Sequence, residues 1–119
     1  MEINMQSAIV VSWKQAFPGR ETRAIEYGLK VRKYWEELAT KGISSKPEFF
    51  FSNNGHNLWI VKGDSDALLD VWMGKESLDL LTEGQLLLEG FGWHFMLTGQ
   101  AGDDFMARYA AMGADIALH

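Results

Sequence analysis

The stretch FGWHFMLTG (residues 91–99) decides how the chain is read, because its bulky apolar residues alternate with smaller ones around a central His94. Phe91, Trp93, Phe95 and Leu97 fall on one side of an extended segment, and Gly92, His94, Met96 and Thr98 on the other. Side chains of a strand alternate between its two faces. The segment therefore reads as a buried strand with one histidine in it.

Working outward, QSAIVVSW (residues 6–13) is a second run of β-branched and apolar residues, closed by Pro18 and Gly19 as a turn signal. It offers Ile9, Val11 and Trp13 on one side and Ala8, Val10 and Ser12 on the other. From Arg20 to Thr40 the residues Ala24, Gly28, Val31, Trp35 and Leu38 recur at spacings of four and three, with charged residues opposite. This predicts an amphipathic helix ended by Gly42. Gly28 in the middle of the apolar stripe costs about 1 kcal/mol relative to Ala; close approach to a sheet or a ligand would explain it, and so would simple tolerance.

Two short runs, KPEFFFS and NLWIVKG, flank Asn53, Asn54, Gly55 and His56, which predicts a hairpin with positive φ at Asn-Gly and His56 at the turn. Pro47 places the first of these strands at a sheet edge. Asp64 and Ser65 then cap a helix starting near Asp66, which Gly74 breaks into two pieces before the strand at 91–99. GDDFMARYAAMGADIAL closes the chain as a helix over 102–117, with Phe105, Tyr109, Met112 and Ile116 as its stripe and Asp103 and Asp104 as its cap. The order β-α-β-β-α-β plus a helix is the ferredoxin-like arrangement in the α+β class: a four-stranded antiparallel sheet with helices on one face. A single domain over residues 1–119, with its core in 6–99, is expected from this length.

Both faces of the predicted strands are apolar, whereas an antiparallel sheet with a wet face alternates apolar and polar residues. A second copy packed face to face by two-fold symmetry would cover the other face. A homodimer is the expected self-partner.

In this respect the sequence resembles the dimeric α+β-barrel superfamily, including the antibiotic-biosynthesis monooxygenase-like families and several without known activity. The resemblance covers residues 6–99, through a first strand ending in Trp13, the loop and helix FPGRETRAIEY, the segment VKGDSDALLDVW, the helix ESLDLL and the last strand leading to LTG. It implies two sheets closing into a barrel, and a small organic ligand or haem bound between sheet and helices of each subunit. The activity does not follow from it, since members differ in chemistry on a shared scaffold.

Composition excludes several classes of function. Without cysteine there are no disulfides, thiolate metal sites or cysteine nucleophiles. The three histidines lack metal-ligand spacing, and no metal or other cofactor is called for. Residues 14–62 hold nine Lys/Arg against five Asp/Glu, and residues 64–104 one against nine, for a net charge of -5. This is no footprint for nucleic acid. No segment has the length and apolarity of a membrane span, and a cytoplasmic location is expected.

Five Trp, seven Phe and three Tyr suit a pocket for a small apolar or aromatic ligand as well as a core. Trp13, Tyr27, Trp59 and Trp72 are the candidate lining residues, with Tyr34 beside them. His94 is the candidate catalytic residue, a proton donor or acceptor near a bound aromatic or carbonyl compound; its structural alternative is a histidine satisfied by Ser12 or a backbone carbonyl. Arg20 and Arg23 at the helix start would receive an anionic substrate, or simply be solvated. Three functions compete on these residues: a homodimeric binding domain, a cofactor-independent monooxygenase or isomerase, and a haem handler with His94 as axial ligand.

Overall fold

The computed structural model describes residues 5–118. Its elements run β1 (Ser7–Trp13), α1 (Glu21–Thr40), β2 (Glu48–Phe50), β3 (Asn57–Gly63), α2 (Ser65–Trp72), α3 (Lys75–Leu87), β4 (Gly92–Leu97) and α4 (Gly99–Leu118). The four strands form one antiparallel sheet in the order β2-β3-β1-β4, the ferredoxin-like topology that the element order predicts.

Register sorts the two faces. Ile9 pairs with Val61 and Phe95, and Val11 with Trp59 and Trp93, all on the helix-covered side. There Ile9, Val11, Trp59 and Val61 join Tyr27, Val31, Trp35 and Leu38 of α1, Leu68 and Trp72 of α2 and Leu81 and Leu87 of α3 in one core. Trp35 is its hub, with ring centroids 5.5 Å from Tyr34, 5.6 Å from Trp59 and 6.3 Å from Trp72. Such tilted and edge-on pairs match the quadrupoles of the rings while burying large areas.

The opposite face carries rows set by the same register. Glu48, Ile60, Val10 and His94 form one row; Phe50, Leu58, Ser12 and Gly92 lie on one side of it, and Lys62, Ala8 and Met96 on the other. No helix covers Phe50 and Met96, which are 47% and 45% exposed.

Several local expectations are corrected. The strand at 91–99 is not buried: β4 is a sheet edge, and Trp93, Phe95 and Leu97 stay exposed even on the helix side. The helices sit over β1 and β3, with the Trp72 ring of α2 meeting that of Trp93 at a centroid distance of 5.9 Å. The β2–β3 connection is longer than a two-residue turn. Among the described residues no non-glycine has positive φ, and Gly55 alone in this loop takes that conformation, at 80°. Side chains close it instead: the Ser52 N–H donates to Asn57 Oδ1 at 3.0 Å and the His56 N–H to Ser52 Oγ at 3.1 Å.

Asp64 caps α2 as expected, accepting from the Ala67 N–H at 3.2 Å, and the chain breaks at Gly74 before α3. The last helix starts earlier than its sequence suggests, at Gly99, so Asp103 and Asp104 lie inside it and do not cap it; Asp104 Oδ1 accepts from Gln100 Nε2 at 2.7 Å.

α4 leaves the body of the molecule. Residues 103–117 are all exposed, including the stripe of Phe105, Tyr109, Met112 and Ile116. The radius of gyration is 16.8 Å, against about 13.5 Å for a compact chain of this length. Of the two courses open to this helix, across its own sheet or over a partner, the chain does not take the first.

Candidate functional site

A cavity of about 440 Å³ opens between α1 and the helix-covered face of the sheet. Its size falls in the roughly 300–1,000 Å³ range of small-molecule pockets. α1 supplies one wall with Ala24, Ile25, Gly28, Leu29, Val31 and Arg32; the sheet and the loops beside it supply Trp13, Phe49, Phe51, Trp59, Leu88 and Phe91. Nearly all of this surface is hydrocarbon or aromatic.

Gly28 keeps the cavity open. A Cβ built there has no atom within 4 Å, so the glycine does not serve close packing of α1 on the sheet. What the missing side chain leaves is volume within the cavity. Ile25 and Leu29, 68% and 64% exposed, flank it on the same helix face.

Tyr27 forms part of the inner wall. Its hydroxyl donates to the Leu80 carbonyl oxygen at 2.6 Å. Burial, with the Glu83 carboxylate as a smaller contribution, pushes the phenol well above its usual pKa, because both disfavour the charged phenolate. The hydroxyl therefore stays a neutral donor across the physiological range. Gly84 makes room for this arrangement: a Cβ on it would stand 2.5 Å from Tyr27 Oη and 2.6 Å from the Phe91 ring.

Of the residues singled out in the sequence, Trp13, Tyr27 and Trp59 meet at this cavity. Trp72 does not: it packs between Trp35 and Trp93. Tyr34 lies edge-on to Trp35, outside the cavity. His94 is on the other face of the sheet, opposite Val10, exposed and without a side-chain hydrogen bond to Ser12 or to any carbonyl among the described residues. Strand parity decides this, since Trp93 and Phe95 take the helix side and leave His94 on the face away from the cavity. A bound molecule between α1 and the sheet is out of its reach.

Arg20 turns out to have a structural part, donating from Nη1 to the Leu86 carbonyl near the end of α3 and lying 5.5 Å over the Phe17 ring. Arg23 is exposed and does not line the cavity.

Sequence reasoning missed Phe49, Phe51, Phe91 and Arg32. The guanidinium carbon of Arg32 sits 4.1 Å above the Phe49 ring centroid, at the edge of the cavity. One signal was available for the wall itself. Ile25 and Leu29 stand one residue beyond Ala24 and Gly28, and so widen the apolar stripe of α1 past what its own core contacts need.

Among the described residues no group of three or more His, Asp or Glu is placed to hold a metal ion. No described helix is long and apolar enough to cross a membrane.

No family model and no curated protein sequence matches the chain. Solved structures do resemble it. A protein of unknown function from Nitrosomonas europaea aligns over 79% of this chain and 89% of its own, with 14% identity and a TM-score of 0.56. A dimeric protein of unknown function and ferredoxin-like fold from Bacteroides fragilis aligns over 82% and 100%, with 10% identity and a TM-score of 0.57. A protein from Pseudomonas aeruginosa aligns over 83% and 99%, with 13% identity and a TM-score of 0.55. At these identities the likeness is one of fold. It defines the class as α+β with a ferredoxin-like sheet.

Proposed function

We propose that the protein is a homodimeric binding protein that holds a small apolar or aromatic molecule in the cavity between α1 and the sheet. The observation that carries this reading is the apolar cavity itself, kept open by a glycine that no packing contact requires. A glycine in a helix interior costs about 1 kcal/mol relative to Ala, and apolar walls such as Ile25 and Leu29, 68% and 64% exposed, are left in contact with water. A ligand that fills the space offsets both.

Dimer formation is supported by the uncovered sheet face, where Val10, Phe50, Leu58, Ile60 and Met96 form a contiguous apolar surface with Glu48, Lys62 and His94 around it. Surfaces of this kind mark interfaces, and the Bacteroides fragilis structure of the same fold is a dimer.

The enzymatic alternative, a cofactor-independent monooxygenase or isomerase, needs a base aimed at the bound molecule. The cavity offers Glu21, whose carboxylate accepts from the Gly19 N–H at 3.2 Å, and Tyr27, committed to Leu80. Binding without turnover accounts for these groups more simply.

Trp13 and Trp59 in the wall make the test direct. Titration with 1-naphthol should change tryptophan fluorescence in a saturable way, and Gly28→Leu should abolish the change while leaving the thermal midpoint equal or higher. Unchanged affinity in Gly28→Leu would refute the assignment. Consumption of oxygen or conversion of the bound compound would favour the enzymatic alternative.

A further inference from the structure

The cavity is polarised along its length. Glu21 and Arg32 are the charged residues of its lining, and both belong to α1. Eleven residues are just over three full turns of a helix, so the two side chains share one face about 16 Å apart along the axis. At the Glu21 end the carboxylate is occupied by the Gly19 N–H. At the other end Arg32 has no carboxylate within ion-pairing distance among the described residues, whereas its neighbour Lys30 is paired with Glu83 at 2.7 Å.

The Phe49 ring beneath Arg32 does more than fill space. The guanidinium carbon 4.1 Å from the ring centroid makes a cation–π contact that holds the charge there without using an N–H donor, and a guanidinium can match a carboxylate with two parallel hydrogen bonds. Phe49 in turn packs on Trp59 with centroids 6.2 Å apart, which ties the platform to the cavity wall. Between the two charges lie Ile25, Gly28, Leu29 and the aromatic rings of the sheet side, and nothing with a formal charge.

We infer that the ligand is an elongated apolar or aromatic carboxylic acid, bound with its carboxylate at Arg32 and its uncharged end toward Glu21. Glu21 sets the orientation, because a carboxylate placed beside it meets a like charge. This inference rests on the binding function proposed above and adds the chemical class of the ligand.

Decanoate and decanol, titrated by calorimetry at submicellar concentration, separate the two ideas. The wild-type protein should prefer the acid by tenfold or more, with a preference that shrinks as ionic strength rises. Arg32→Gln should bring the acid to the affinity of the alcohol and leave decanol unchanged; Arg32→Lys should keep part of the preference, since it retains the charge without the forked donors of the guanidinium. Glu21→Gln should not weaken decanoate. Equal affinities of the wild type for acid and alcohol, both lost in Gly28→Leu, would overturn the carboxylate assignment and leave the binding function standing. A preference that survives Arg32→Gln would overturn it as well. Failure of both probes to bind would remove the cavity function along with it.

Discussion

Gly84 of α3 faces Tyr27 of α1 so closely that a β-carbon on the glycine would stand 2.5 Å from the tyrosine oxygen. The Phe91 ring is as near, at 2.6 Å, so both rings would have to shift. Overpacking of this kind costs about 1–3 kcal/mol. Gly84→Ala is therefore expected to lower the free energy of unfolding by that amount in urea denaturation, despite the better helix propensity of alanine. A neutral or stabilising effect would mean that α1 and α3 separate more easily than the contact implies.

Loss of the Tyr27 hydroxyl should cost about 1 kcal/mol in Tyr27→Phe, the net value of one hydrogen bond. The phenol is raised above its ordinary pKa of 10.0 in the folded chain. Its contribution is then complete below pH 10 and is lost as pH climbs from there toward the folded value, because the unfolded chain ionises first. Thermal midpoints between pH 9 and 11 should fall in the wild type and fall less steeply in Tyr27→Phe. Tyr34, raised for the same reasons of burial and a nearby carboxylate, Glu76, should keep part of the slope. Identical slopes in the two proteins would rule out the assignment to Tyr27.

Ile60 sits between Val10 and Glu48 in a row across the uncovered sheet face. A two-fold interface places each of its residues in both halves, so Ile60→Glu introduces two buried charges at once. Light scattering should show the dimer dissociation constant rise a hundredfold or more, with far-UV circular dichroism of the monomer unchanged. A wild-type protein that is monomeric at micromolar concentration would sink the dimer itself.

Truncation after Gly102 should leave the fold intact. Among the described residues none of α4 belongs to the core, and the helix start is tied to the residue before β1 by the Ala101 N–H donating to Gln6 Oε1 at 2.7 Å. The near-ultraviolet signal of the tryptophan cluster should persist, with a thermal midpoint within about 4 °C of the full chain at matched monomer fraction. The dimer should weaken, since the stripe from Phe105 to Ile116 is left uncovered by its own chain. Collapse of the tryptophan signal would show that α4 supports its own sheet after all.

Element order, the Asp64 cap and the break at Gly74 were legible in the chain, because these depend on periodicity and on the backbone preferences of a few residues. The sequence also shows which side chains share a strand face: Trp93 and Phe95 stand opposite His94 by parity alone. What it did not contain was how far the helices extend over the sheet. β4 has an apolar sequence and still lies at an open edge, since α1 to α3 cover β1 and β3 first.

The site divides in the same way. Trp13, Tyr27 and Trp59 were legible as aromatic residues on core-facing positions. The pairing of Arg32 with Phe49 was not, because they lie seventeen positions apart in the chain, on different elements. Only the tertiary structure sets the guanidinium over that ring, and only it removes His94 from the cavity, since contact between elements depends on sheet order and helix placement that no local pattern encodes.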